Sequence, residues 1–272
     1  MLWWRAHGRV AFLSWALVAT ALGVLALAGC SSPEAPPAPP LAVQPLTASP
    51  SPTATPAATP TIGPTPTPTP PATPTASASL PAALRGFRMP IAGACLPSSD
   101  NLLPNAPRAY RAGTHEGVDF YDGYVCVPVA RGMPVVAAKG GTVIRADAQY
   151  HSPTREELER LLIVSQERGY TDEEALDVLR GRQVWIDHGG GIVSRYAHLL
   201  DVAAGLREGM AVEAGAVIGY VGNTGILDGI DDPNAEVHLH FEIRVGRDYL
   251  GQGMTPQAVR ELLRQVLTAA AE

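Results

Sequence analysis

Val237-His238-Leu239-His240-Phe241-Glu242 reads as a β-strand that carries two histidines one residue apart. Side chains alternate faces along a strand, so His238 and His240 project together while Leu239 and Phe241 go to the opposite face. Paired imidazoles on one rigid face can bind a metal or move protons. The rest of the chain is read for partners to this pair.

Working outward, short apolar runs bounded by Gly and Pro recur at 87–91, 125–129, 134–138, 142–145, 183–187, 192–199, 209–212 and 216–221. Short strands with frequent glycine turns predict a mainly β (α+β) domain built on antiparallel sheet. The pattern changes at 152–181. Thr154 and Glu157 stand at capping-box spacing, Leu158, Leu161, Leu162 and Ser165 follow at helical spacing, and Gly169 ends the run. Thr171 to Glu174 reads as a second capping box, opening a helix that stops at Gly181. These two helices form a hairpin inserted between strands, with Glu156, Glu157, Glu159, Glu173 and Glu174 on a solvated face. Thr255-Pro256 starts a closing helix whose apolar side holds Val259, Leu262, Leu263, Val266 and Leu267. Residues 222–235 read as a long loop with three acids, Asp228, Asp231 and Asp232.

Thr114-His115-Glu116-Gly117-Val118-Asp119-Phe120 supplies the first partners. A His-Glu-x-x-His helix is excluded, because the fifth residue is Asp119 and Gly117-Val118 is poor helix material. As a strand, His115, Gly117 and Asp119 share a face and Glu116 points away. A third partner, His198, ends the run Tyr196-Ala197-His198-Leu199. His188 in its glycine-rich turn reads as structural, His151 as a surface residue, and His7 as part of the N-terminal segment.

Residues 1–29 pass from Arg5 and Arg9 into an apolar stretch, 10–28, in the manner of a secretory signal. The ending Leu27-Ala28-Gly29-Cys30 resembles the lipobox of bacterial lipoproteins, which implies cleavage before Cys30 and lipid on its thiol. A plain membrane anchor is the other reading, since about 19 apolar residues can just span a bilayer. Either way the rest of the chain is expected outside the cytoplasm, held to the membrane through its N-terminus. From 30 to 85 the chain is Pro, Thr, Ala and Ser, with Glu34 its only charge before Arg85. Such a segment builds no core and serves as an extended stalk, reaching roughly 150 Å at most. The remaining 86–272 is one domain of ordinary size. From Arg85 onward the chain has 18 Lys and Arg against 25 Asp and Glu, with no basic cluster, which argues against nucleic acid as a partner. Besides Cys30 the cysteines are Cys95 and Cys126; in an oxidising compartment they can form one disulfide.

Taken together, His115-x-x-x-Asp119, Tyr196-Ala197-His198-Leu199 and His238-Leu239-His240-Phe241, with Gly219-x-x-Gly222-x-Thr224-Gly225 before the last, resemble the lysostaphin-type zinc endopeptidases. The resemblance runs from about Phe87 to Arg244 and keeps the family's order. It implies the lysostaphin-type fold (a duplicated hybrid motif) and cleavage of peptide bonds in bacterial peptidoglycan, in stem or cross-bridge peptides. It implies one Zn²⁺ per domain, held by His115, Asp119 and His240, with His198 and His238 as the catalytic histidines. Two features depart from the family pattern: the hairpin at 152–181, and a long acidic approach, 226–237, where relatives have a short turn. Both are expected to shape the substrate groove, since long loops on a rigid scaffold carry specificity. The competing functions are a catalytically silent peptidoglycan-binding or hydrolase-regulating lipoprotein, and a surface protein that only stores metal. All five positions are filled here, which favours the enzyme.

Overall fold

The computed structural model describes residues 80–268. The segment 1–29 read as a signal, the lipidation candidate Cys30 and the Pro/Thr-rich stretch as far as residue 79 lie outside the described residues. No helix among the described residues is long and apolar enough to cross a membrane.

Most of the main strands belong to one sheet. They are β1 (Val118–Tyr121), β2 (Pro134–Val136), β3 (Gly141–Ala146), β4 (Val184–Asp187), β5 (Ile192–Ala197), β6 (Val217–Tyr220) and β7 (His238–Val245). The large sheet runs Ala211–Val212, β3, β4, β5, β7, Asp248–Tyr249, and β1 also pairs with β7. Every pairing in it is antiparallel. A smaller antiparallel sheet joins β2, β6 and Asp201–Val202. The fold is mainly antiparallel β with a few helices, as the strand pattern predicts.

Strand β7 sits inside this arrangement. Seven of its eight residues are buried, from His238 to Arg244. Leu239, Phe241 and Ile243 join the hydrophobic core with Phe120, Tyr196, Leu199 and Ile186. The opposite face, His238, His240, Glu242 and Arg244, is buried as well. Alternation alone leads one to expect a wet face there. Other parts of the chain seal it instead, and the site is built in that sealed layer.

The core secures the neighbouring strands through one polar handle. Tyr196 is fully buried and its ring lies 5.1 Å from that of Phe241. Its hydroxyl oxygen accepts from the Ala138 N–H at 2.7 Å and from the Ser194 hydroxyl at 3.1 Å. A buried tyrosine with its oxygen satisfied ties the end of β5 to the chain after β2.

The helical hairpin lies between β3 and β4 as α1 (Arg155–Arg168) and α2 (Glu173–Leu179). Thr154 and Glu157 make both bonds of the capping box, and Gly169 closes α1 with φ 75°. The cap of α2 is Asp172, whose carboxylate accepts from the Ala175 N–H at 2.9 Å. Thr171, expected as that cap, instead donates its hydroxyl proton to the Arg111 carbonyl. An ionised carboxylate outcompetes a hydroxyl for the helix N–H, and that leaves Thr171 free to fasten the hairpin to a distant loop. Helix α3 (Pro256–Val266) begins at Thr255 and buries Val259, Leu263 and Val266.

Three runs differ from the reading of the sequence. Residues 125–129 form no strand: Cys126 has φ 67° and the Val129 N–H donates to the Asp122 carboxylate at 3.0 Å, so side-chain bonds replace a ladder. Cys126 is joined to Cys95 by a disulfide, with Cα atoms 5.6 Å apart. The run at 87–91 shortens to Phe87–Arg88, which pairs in parallel with Leu267–Thr268. The approach to β7 contains a one-turn helix, Asp228–Asp231. Its ends are tied together by Asn223, whose amide donates to the carbonyls of Asp232 and Ala235.

Replacing Tyr196 by Phe should destabilise the protein by about 1–3 kcal/mol, because the buried Ala138 N–H loses its acceptor. Urea denaturation measures this; a midpoint equal to wild type would contradict the role given to that hydroxyl.

Candidate metal centre

The register of β7 assembles the site. His240 lies opposite Asp119 of β1 on one side and opposite Ala197 of β5 on the other. Directly opposed residues share a face with Cβ atoms about 5 Å apart, so Asp119 and His240 meet without help from loops. The residue after Ala197 is His198. It adopts the left-handed conformation, φ 58°, and its N–H donates to the Arg180 carbonyl at 2.8 Å. That turn ends β5 and swings the imidazole toward β7, a conformation a bulky side chain holds only when its surroundings impose it. His115 arrives from the segment before β1. Gly117 lets that segment lie flat on β7, since a Cβ there would stand 2.5 Å from the Phe241 carbonyl oxygen and 2.9 Å from His240.

Three donor atoms converge. His115 Nε2 lies 3.0 Å from His240 Nδ1 and 2.9 Å from Asp119 Oδ1, and His240 Nδ1 lies 2.7 Å from Asp119 Oδ1. The three residues are 2%, 7% and 5% exposed, in the order His115, His240, Asp119. Each is held from behind. His115 Nδ1–H donates to the Leu103 carbonyl at 2.9 Å, and His240 Nε2–H donates to Glu242 Oε1 at 3.0 Å. Arg108 donates to the other oxygen of Asp119 at 2.9 Å. With the outer nitrogens committed as donors, His115 Nε2, Asp119 Oδ1 and His240 Nδ1 face one point, and Nδ1 offers its lone pair there once its own proton has left.

Such a triangle calls for a positive charge at its centre. Burial pushes the His115 ring down to about 4, so it stays neutral with its Nε2 lone pair inward. Burial acts against a charge on His240 too, but bonds to Asp119 and Glu242 outweigh it and raise that ring above the ordinary histidine value. Burial disfavours the Asp119 carboxylate, yet the charges and hydrogen bonds of the histidines hold it well below the usual range. The pocket thus holds ionised oxygen and attracts a cation, and this set of residues can hold a metal ion. Two imidazoles and one carboxylate are a borderline-to-hard set that leaves coordination positions open.

His198 and His238 stand beside the triangle. His198 Nδ1–H donates to the Thr224 carbonyl at 2.9 Å, and His238 Nδ1–H to the Glu236 carbonyl at 2.7 Å. Their rings lie 4.7 Å apart, and His238 Nε2 is 3.7 Å from Asp119 Oδ1. Tyr121 stacks on His238 at 4.1 Å and donates its hydroxyl proton to Glu236. Burial lowers both histidines below the ordinary value, leaving neutral rings whose Nε2 keeps its lone pair. The five residues read from the sequence therefore lie together, and His188 does not join them. Its ring bonds the Gly140 carbonyl and the Ser194 hydroxyl.

The supporting residues are harder to find in the sequence. Glu242 shares the β7 face of the histidines by simple alternation, which is a usable signal. Arg244 lies on that face by the same alternation, whereas Arg108 and Arg180 carry no such signal. Glu116 points away from the triangle and accepts from Arg180 at 2.8 Å and Arg244 at 2.5 Å. A cavity of about 1000 Å³ opens on the site. Leu162 and Leu179 of the hairpin, Ile226 and Leu227 of the approach loop, and Tyr110 and Tyr124 line it. Both additions to the sequence pattern thus border the groove.

An acid titration of the metal-free protein tests these environments. An unfolded histidine takes its proton near pH 6.5, whereas His115 waits until about 4 and His198 and His238 are also lowered. As pH falls through 6.5 the unfolded chain binds protons that the folded chain refuses, so stability is lost with acid. His240 works in the opposite sense, one ring against four, since burial lowers His188 as well. The melting temperature should fall from about pH 7 to about pH 5; a flat profile would contradict the burial of these rings.

Comparison with known proteins extends the picture. Residues 113–252 match the profile of Peptidase family M23. Among solved structures, a zinc-containing peptidase from Vibrio cholerae is similar at 20% identity and TM-score 0.37, over 61% of this chain and 38% of that one. The chain thus spans little more than a third of that protein's length. The catalytic domain of the antimicrobial peptidase lysostaphin from Staphylococcus simulans is similar at 21% identity and TM-score 0.32, over 54% of this chain and 80% of that one. A mutant catalytic domain of a prophage-encoded M23 protein from Enterococcus faecalis is similar at 18% identity and TM-score 0.37, over 63% and 95%. No match was found among curated proteins. The profile match covers half of the chain and takes in all five residues of the buried cluster, from His115 to His240: the chain belongs to Peptidase family M23.

Proposed function

We propose that this chain is a zinc-dependent endopeptidase that hydrolyses peptide bonds in bacterial peptidoglycan outside the cytoplasmic membrane. The observation that carries the reading is the convergence of His115 Nε2, Asp119 Oδ1 and His240 Nδ1 within 3.0 Å of one another, beside two further anchored histidines. A protein that merely stored metal would have no use for His198 and His238 at that point. His115, Asp119 and His240 would hold the zinc. Bound there, zinc supplies Lewis-acid polarisation of a carbonyl and brings the pKa of a water toward 7.

The chain's own residues account for the proton movements. A neutral His198 or His238 takes a proton at Nε2 from the attacking water as the C–O bond forms. The same proton passes to the peptide nitrogen as the C–N bond breaks, so the ring ends neutral. While it carries the proton, the ring is a cation facing the charge that develops on the carbonyl oxygen. The carbonyls of Thr224 and Glu236 keep Nδ1 protonated throughout, which fixes the working nitrogen as Nε2. A cleft of about 1000 Å³ suits a segment of peptide.

The anchor is part of the proposal. Cys30 carries lipid, the Pro/Thr-rich stretch 30–85 acts as a stalk, and the peptidase domain 86–272 works at the wall. Cells fed a labelled fatty acid should put label on the wild-type protein and none on Cys30→Ser; a wild-type protein that takes up no label would remove the lipid anchor.

The function itself is tested by incubating purified protein and zinc with purified peptidoglycan and measuring new amino termini. His115→Ala should lose zinc and activity together. His238→Ala should keep zinc and lose activity by about 10²–10⁴-fold. A wild-type protein that binds the wall and releases no amino termini would instead be the silent, regulatory form.

A further inference from the structure

The hairpin leaves the sheet after β3 and returns to it through Arg180, the residue that closes α2. Arg180 is 4% exposed and touches three carboxylates from three parts of the chain. Its Nε donates to Glu242 Oε1 at 2.7 Å, its Nη2 to Glu116 Oε2 at 2.8 Å and its Nη1 to Glu173 Oε1 at 3.0 Å. Glu242 Oε1 is the same atom that accepts from His240 Nε2 at 3.0 Å. The Arg180 carbonyl accepts the N–H of His198 at 2.8 Å. One residue at the end of the hairpin therefore holds the support of a donor in the triangle and the backbone of a neighbouring histidine.

We propose that Arg180 is a positioning residue of the metal centre: its side chain orients His240 through Glu242, and so couples the inserted hairpin to the geometry at the metal. The proposal rests on the reading of His115, Asp119 and His240 as a zinc site. The chemistry of the guanidinium explains why an arginine stands there. Its planar fork offers donors in fixed directions, so Nε can pin Oε1 while the two Nη groups engage other carboxylates. A lysine ammonium carries the same charge on a flexible stem and cannot hold three carboxylates in fixed directions. Pinning matters because Glu242 Oε1 sets both the tilt of the His240 ring and the direction of its Nδ1 lone pair. A partner behind a ligating histidine is worth about 10–100-fold in metal affinity. Glu242 keeps a second contact, Arg244 to Oε2 at 3.3 Å, so a lysine at 180 leaves its charge compensated while its direction is released. Arg155 at the opposite end of the hairpin pairs with Asp231 and Glu159 and touches neither Glu242 nor the histidines.

The test uses the full chain in wild-type form and as Arg180→Lys, Glu242→Gln, the double variant and Arg155→Ala. Zinc affinity is read by competition with a colorimetric chelator, and ligand geometry by the visible spectrum of the cobalt(II)-substituted protein. Arg180→Lys should weaken zinc about tenfold or more and shift the cobalt bands, while Arg155→Ala changes neither. In the Glu242→Gln background the Arg180→Lys change should add little, because the route through Oε1 is already altered. Wild-type affinity with unshifted bands in Arg180→Lys overturns the proposal, as does an equal loss in Arg155→Ala or an undiminished loss in the double variant. If Arg180→Lys does not fold, Glu173→Gln loosens the same guanidinium from an exposed carboxylate. It should give a smaller shift of the same bands, and unchanged bands then overturn the proposal. A wild-type protein that takes up neither zinc nor cobalt removes the zinc reading itself and this inference with it.

Discussion

The antiparallel register between Val118–Tyr121 and His238–Val245 is the constraint on which the other features depend. It sets Asp119 opposite His240 and Tyr121 opposite His238, and it does so through the apolar face of the same strands. Val118 and Phe120 pack into the core from β1, and Leu239 and Phe241 from β7. Because side chains alternate, a slip of one residue would bury the charged set among these groups and turn the apolar set into the sealed polar layer. The core thus sets the positions of the metal centre's donors from the opposite face of the same strands.

Burying the polar face has an electrostatic consequence. Glu242 is 1% exposed, and burial alone would discourage its charge; Arg180 first, then His240 and Arg244, hold it ionised well below the usual range. Around it three arginines, Arg180, Arg195 and Arg244, meet three acids, Glu116, Glu173 and Glu242. A matched set of this kind contributes little net stability, because desolvation offsets much of the attraction. What it supplies is direction. Each carboxylate is fixed by several donors, and Glu242 passes that fixity to His240.

The hairpin enters this network from one end and the groove from the other. Gln166 and Thr171 bond the carbonyls of Ala109 and Arg111, and Arg155 reaches Asp231 in the approach loop. The two added segments therefore touch each other as well as the cavity. Both border the cavity and leave intact the strand pairing that carries the histidines.

Period-two alternation in a single strand was enough to place His238 and His240 on one face, to set Glu242 beside them, and to separate Glu116 from Asp119. Local chemistry was enough for the capping box of α1 and the start of α3. These features depend on neighbours within four residues, so they are written along the chain. The partners across space are not. Arg180 reaches Glu242 over 62 residues, and His115 reaches His240 over 125. Nothing in the local pattern marks Arg108 or the carbonyls of Leu103, Thr224 and Glu236 as supports, because a backbone oxygen is the same on every residue. Nor does alternation say whether the His face is wet or dry, since it describes one strand and burial depends on what packs over it. The sequence by itself determined which side chains share a face. The tertiary structure decided which of their atoms carry protons, because hydrogen-bond partners and burial exist only once the strands and the hairpin have come together.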